Sequence, residues 1–207
     1  TLVFQPFTPN QNPDFAKGAD VMQYILKKDL LISLPYESLS PFLSLIHHAV
    51  DDPHVISIKI TLYRLARRSR LAEYLIMAAE NGKEVVVLME LRARFDETNN
   101  IEWAQRLEEA GCRVIYGPAA FKVHAKVCLI TRKESGKITY ISQFGTGNYN
   151  EITAKLYTDF CLITTNPEIG KDAAALFNDL MLSNLEGEYK HLVAAPHTLK
   201  PTLLANI

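Results

Sequence analysis

Glu84-Val85-Val86-Val87-Leu88-Met89-Glu90-Leu91 is a near-continuous apolar run. A strand of that composition is buried on both faces, as in a parallel sheet covered by helices. The flanks fit. Upstream, Ser69 is placed to cap a helix through Asn81, and Gly82 to stop it. Before that helix, Val55 to Leu65 is apolar with β-branched residues and reads as a strand. Earlier still, Ser40-Pro41 offers an N-cap hydroxyl and a first-turn proline to a helix running to about Asp51. Downstream, Asn100 to Ala110 reads as a helix ended by Gly111, and Cys112 to Tyr116 as a strand. Residues 40–116 therefore alternate helix and strand at the spacing of parallel strands with helical crossovers.

The remaining elements extend this unit. Val123 to Thr131 and Ile138 to Ser142 read as a hairpin turned by Glu134-Ser135-Gly136-Lys137. Asp159 to Thr164 reads as another strand, and Asn166-Pro167 caps a helix to about Ser183. Asp29 to Ser33 reads as a short strand. The fold class expected is α/β, a mixed sheet that is mostly parallel with an antiparallel hairpin and helices on both faces. Three segments are expected: a lead-in over 1–35, a main domain over 36–185 and a C-terminal segment over 186–207.

Composition narrows the function classes. The chain has 207 residues, 48% of them hydrophobic and 22% charged, an ordinary globular balance that excludes a disordered or collagen-like chain. No run of about 18 apolar residues is present, so no transmembrane helix is expected. Lys+Arg number 22 against 23 Asp+Glu, a net charge of −1, so no bulk polycation is available to coat nucleic acid. Cys112, Cys128 and Cys161 form no CxxC pair and sit in apolar, strand-like stretches. They read as buried thiols of a reducing compartment rather than a disulfide framework. The N-terminus has no signal-peptide pattern and no initiator Met, and the apolar C-terminal stretch stops abruptly. The chain is therefore expected to be part of something longer.

Chemistry concentrates in three places. In Phe121-Lys122-Val123-His124-Ala125-Lys126-Val127-Cys128-Leu129, strand alternation puts Lys122, His124 and Lys126 on one face and the aliphatic residues on the other. Two flanking cations disfavour imidazolium, so His124 is expected neutral near pH 7, a nucleophile beside two anion-binding lysines. The plainer alternative is an edge strand with a solvated basic face. Gly145-Thr146-Gly147-Asn148-Tyr149-Asn150 follows a strand and offers closely spaced glycines for an anion cradle, or only an ordinary strand-to-loop turn. Arg64 and Arg94 stand near the carboxyl ends of two strands, where ligands bind in open parallel sheets and an arginine forks onto phosphate. Arg67, Arg68 and Arg70 read as a solvated loop. Asp96-Glu97 is either a metal contact or the cap of the next helix. His47-His48 lies on an amphipathic helix and reads as surface or half-core, His54, His191 and His197 lack metal-ligand spacing, and no P-loop or GxGxxG opening a helix is present.

These motifs carry a resemblance. His124-Ala125-Lys126 followed by Gly145-Thr146-Gly147-Asn148 resembles half of a phospholipase D superfamily site, but Thr131 stands where that pattern has Asp. The chain more closely resembles the first catalytic domain of bacterial polyphosphate kinase of the long multi-domain type. Leu34-Pro35-Tyr36-Glu37-Ser38, Ile58 to Arg64, Ala78 to Lys83, Glu90 to Glu97, Lys122 to Lys126, Gly145 to Asn150 and Leu156 to Asp159 carry it, in family order, over roughly residues 29–181. Ser33 and Leu34 stand where the family usually has two histidines, and Leu39 where it has Phe.

The resemblance implies a phospholipase D-like fold and an ATP:polyphosphate phosphotransferase. The reaction is reversible transfer of the ATP γ-phosphate to inorganic polyphosphate through a phosphohistidine. It implies His124 as the phosphorylated catalytic residue and Arg64 and Arg94 on phosphate, to which the reading of the residues themselves adds Lys126 as catalytic and Gly145, Gly147 and Asn148 on phosphate. Tyr157 would contact ATP, and Arg64 and Arg94 the magnesium–phosphate group. It further implies Mg2+ as cofactor, ATP/ADP and polyphosphate as ligands, the remaining enzyme domains as partners, and a homo-oligomer of the whole enzyme. The expected place is the cytoplasm, with any membrane association belonging to the whole enzyme. The alternatives are a phosphodiesterase or nuclease half-site and a non-catalytic polyanion-binding module.

Overall fold

The structure is a computed structural model that describes residues 7–12, 15, 20–91, 96–118 and 121–207. Seven strands form one sheet. They are β1 (Leu30–Leu34), β2 (Val55–Leu62), β3 (Glu84–Met89), β4 (Arg113–Tyr116), β5 (Lys126–Glu134), β6 (Lys137–Gly145) and β7 (Asp159–Thr164). The helices are α1 (Val21–Ile25), α2 (Ser40–Asp51), α3 (Arg70–Glu80), α4 (Glu97–Glu109), α5 (Pro167–Met181) and α6 (Leu199–Ala205). The spatial order is β1-β7-β6-β5-β2-β3-β4.

The expected mixed α/β sheet is present, but it is not mostly parallel. Among the described residues, β2 with β3 and β3 with β4 are the parallel pairs. The pairs β2–β5, β5–β6, β6–β7 and β1–β7 are antiparallel. The helical crossovers end at β4, and from β5 onward the chain returns through tight or short connections, which join only antiparallel neighbours. The hairpin turn holds Ser135 and Gly136 at φ 49° and 80°, the left-handed pair that matches strand twist.

Both faces are covered. On one, Phe42, Leu45 and Ile46 of α2, Leu71 and Leu75 of α3 and Trp103 and Leu107 of α4 join Ile58, Ile60, Val85, Val87, Cys128, Ile130 and Ile163. On the other, Ala173 and Phe177 of α5 pack on Val127 and Leu129. Alternate residues of β5 thus serve two cores. The three cysteines are free and buried, as expected.

Two boundaries shift. The lead-in over 1–35 is not separable in its C-terminal part, because β1 pairs with β7 from Leu30↔Ile163 to Leu34↔Asp159, and Val21, Met22 and Ile25 of α1 are core. Ser40 is not the N-cap of α2. Leu39 holds that position, and Ser38 Oγ instead accepts the Ser40 N–H at 3.1 Å. Ser69 caps α3 as expected, accepting from Ala72 N–H at 3.2 Å, and Asn166 caps α5.

Gly170 in α5 is a close-approach glycine: an added Cβ would lie 2.5 Å from Tyr140 Cβ of β6. Ala in an open helix position is favoured over Gly by about 1 kcal/mol. Here overpacking reverses the sign, and Gly170→Ala is expected to destabilise by about 1–3 kcal/mol, read as a lower urea midpoint at unchanged slope.

Candidate functional site

Because β5 runs opposite to β2, its first residue lies at the end where β2 and β3 finish. Lys126 pairs with Gly145, the last residue of β6, and Gly145 pairs with Cys161 near the start of β7. The loops after β2 and β3, the segment entering β5 and the Gly145–Asn150 loop therefore meet at one sheet end. This is the carboxyl end of the parallel strands, the place that pattern reasoning favoured.

His124 is not in a strand. β5 begins at Lys126, and residues 122–125 are irregular, so the expected single face of Lys122, His124 and Lys126 does not form. Lys122 and His124 are exposed, whereas Lys126 is 5% exposed. The strand starts late, and the segment entering it is held by side chains instead. Val123 N–H donates to Glu90 Oε2 at 3.0 Å. Thr61 Oγ1 donates to the Ala125 carbonyl at 2.7 Å and accepts from Val127 N–H at 3.1 Å.

Lys126 Nζ lies 3.1 Å from Nδ1 and 3.2 Å from Nε2 of His124 and also donates to the His124 carbonyl. Tyr63, just past β2, sets its ring edge-to-face against His124 at 5.1 Å, with Lys126 Nζ 5.3 Å from the ring centre. An ammonium at this distance needs a ring lone pair opposite it, and an imidazolium has none. Burial first, then the charges of Lys126, Arg64 and Lys122, hold His124 below its usual range. Burial pushes Lys126 down to about 8, with Asp159 opposing the fall and Arg64 adding to it. The direction agrees with the expected neutral histidine beside cations, with dehydration as the larger cause.

The other candidates fall out as follows. Arg64 Nε pairs with Asp96 Oδ2 at 3.2 Å. Asp96 precedes α4 without a side-chain capping bond, so its carboxylate serves the arginine rather than the helix end. Arg94 lies outside the described residues. Arg67 and Arg68 are exposed, and Arg70 pairs with Glu151, Nε to Oε2 at 2.7 Å. Gly147 is explained by space: an added Cβ would lie 2.4 Å from Asp159 Oδ2. Neither Gly145 nor Gly147 has a left-handed backbone, and Thr146 N–H is spent on the Phe160 carbonyl at 3.1 Å. The run of converging amides expected there is accordingly shortened. Asn148 Oδ1 is buried without a hydrogen-bond partner among the described residues. Asn150 is a local cap, its Oδ1 accepting from Ile152 and Thr153 N–H. Tyr157 is exposed two residues before β7.

Several site residues were not singled out from the sequence. Asp159 accepts from Thr146 Oγ1 at 2.7 Å and is the counter-charge of Lys126. Asn100, fully buried in α4, donates to the Tyr63 carbonyl at 2.8 Å and the Glu90 carbonyl at 3.1 Å, tying together the chain after β2 and β3. A buried polar residue on an otherwise amphipathic helix was the available signal. Among the described residues no group of three His, Cys, Asp or Glu is arranged to hold a metal ion. Guanidinium carries no lone pair for a cation, so Arg64 cannot itself ligate Mg2+.

A family model described as polyphosphate kinase C-terminal domain 1 matches residues 20–186. The chain is 44% identical over 206 residues to a polyphosphate kinase of Staphylococcus epidermidis, covering 100% of this chain and 28% of that protein. It superposes on the crystal structure of polyphosphate kinase from Porphyromonas gingivalis with TM-score 0.83 and 33% identity, covering 97% of this chain and 33% of that one. It also superposes on Nuc from Salmonella typhimurium, a phospholipase D family member, with TM-score 0.59 and 15% identity over 74% of this chain and 93% of that one. That last likeness is one of fold. The chain spans just over a quarter of the length of the curated relatives it matches.

The electrostatics give a direct expectation. The His124 ring should titrate below about pH 6.5, followed by its imidazole NMR resonances. In Lys126→Met the midpoint should rise while staying below that value, since burial remains. An unchanged midpoint would mean the lysine charge is not felt at the ring.

Proposed function

The chain belongs to the polyphosphate kinase C-terminal domain 1 family, and from that premise we propose that it is a catalytic domain of an ATP:polyphosphate phosphotransferase working through His124. The observation that carries this reading is a histidine kept neutral at the carboxyl end of a parallel strand pair, 3.1 Å from a buried lysine ammonium.

In the first step a ring nitrogen of His124 attacks the γ-phosphorus of ATP, forming a P–N bond as the bond to the β,γ-bridging oxygen breaks and ADP leaves with that electron pair. In the second, an oxygen of the terminal phosphate of polyphosphate attacks the same phosphorus, and the imidazole leaves. The chain grows by one phosphate, and each step is reversible. Such transfers need alignment and charge neutralisation more than proton transfer. An incoming phosphoryl oxygen can replace the imidazole as partner of Lys126, which frees the lone pair for attack. Arg64 stands by with a second charge, its Asp96 pairing exchangeable for phosphate. Arg94, Gly145, Gly147 and Asn148 are assigned to the phosphate chain, and Tyr157, with its exposed ring, to the nucleotide. Magnesium belongs to the nucleotide substrate, whose phosphates usually carry it, and no protein cage is assigned to it.

The remaining length of the relatives supplies the expected partners, since the site is open on this chain. Three buried free thiols fit a cytoplasmic enzyme. The phosphodiesterase alternative has fold likeness alone behind it, and Thr131 sits within β5 paired to Tyr140 and Ser57 rather than supplying a carboxylate.

Incubation of the full-length enzyme with γ-labelled ATP should give base-stable, acid-labile label on the wild type and none on His124→Ala. Equal label on both would overturn the assignment. The kcat/KM profile should be bell-shaped, with an acid limb below about pH 6.5 from His124 and an alkaline limb near pH 8 as Lys126 loses its proton.

A further inference from the structure

The backbone around His124 lacks strand pairing on the β2 side, since the β2–β5 ladder stops at Ile60↔Cys128. Two buried side chains replace it. Thr61, 1% exposed on β2, uses its one hydroxyl twice, donating to the Ala125 carbonyl and accepting from Val127 N–H. Glu90, 2% exposed just after β3, accepts Val123 N–H. Gly117, just after β4, leaves room for this contact: a Cβ there would lie 2.9 Å from Val123 Cγ2 and 3.5 Å from Glu90 Oε2. The residues on both sides of His124 are thus tied to the ends of two adjacent parallel strands, while the imidazole itself stays exposed.

We propose that Thr61 and Glu90 are positioning residues that clamp the backbone before and after His124 and so set the imidazole in line for attack on phosphorus. The inference rests on the phosphohistidine reading above. A threonine inside a buried strand otherwise has a hydroxyl to satisfy at a cost, and a buried glutamate more so. Each of these polar groups meets backbone groups of the segment around His124. Rigid strands are the better support for a reacting group, and a displacement of about 1 Å costs on the order of 100-fold in rate. Both side chains are buried and face the backbone, so their removal should lower the rate of transfer and leave nucleotide binding in place.

The test is single-turnover labelling of the full-length enzyme with γ-labelled ATP, on His124→Ala, Thr61→Val, Thr61→Ala, Thr61→Ser, Glu90→Met and Glu90→Gln. Thr61→Val and Glu90→Met should label on the order of 100-fold more slowly with the half-saturating ATP concentration within about twofold of wild type. Thr61→Ser, which keeps the hydroxyl, and Glu90→Gln, which keeps an acceptor oxygen, should recover most of the rate. Thr61→Ala and Thr61→Ser both lose the methyl group, so their difference isolates the hydroxyl even where Thr61→Val packs poorly. Wild-type rates in Thr61→Val and Glu90→Met, or equal loss in Thr61→Ala and Thr61→Ser, would overturn the clamp while leaving the nucleophile assigned. Label retained on His124→Ala would instead overturn the underlying reading.

Discussion

β2 is hydrogen-bonded on one side to a parallel neighbour and on the other to an antiparallel one. Its carboxyl end therefore stands beside the carboxyl end of β3 and the amino end of β5. Tyr63 and Arg64 leave β2 there, Glu90 leaves β3, and Lys126 enters β5. The hairpin then returns β6 so that Gly145 faces Lys126, and β7 starts from the same end with Asp159. With the pairing at β2 reversed, the lysine and the arginine would sit at opposite ends of the sheet.

That placement has an electrostatic cost. Lys126 is dehydrated, with Arg64 and His124 as neighbours, and it gives up part of its basicity. Asp159 offsets some of this through its charge, and Asp96 holds Arg64. A ligand carrying several negative charges would offset the repulsion among these cations, which reconciles the proposed polyanionic substrate with a net charge of −1 on the whole chain.

The element order of the first half was legible because residues 40–116 alternate helix and strand three times over, and hydrophobic pattern is a local signal. The residues of the site were legible for a different reason: His124, Lys126, Arg64 and Gly147 are unusual choices for the ends of apolar strands. Their relation was less so. Alternation through Val123, Ala125 and Val127 looks like a strand continuing to residue 123, yet Ala125 is exposed and β5 starts at Lys126. Periodicity records which side chains are apolar, and the partners of the backbone here are Thr61 and Glu90, distant in sequence. Ser40 shows the same limit in small, since a hydroxyl before a proline also suits the first turn of the helix itself.

By itself the sequence determined the elements over roughly residues 29–183, the mixed α/β class, the family resemblance and the chemical character of one sheet end, because these follow from local pattern and side-chain chemistry. Only the tertiary structure decided that antiparallel pairs prevail, that β1 belongs to the sheet, that Lys126 is buried while His124 is exposed, and that Asp159, Asn100, Thr61 and Glu90 hold the site together. Pairing direction and the satisfaction of buried polar groups depend on which segments meet in space, and no local stretch of chain carries that information.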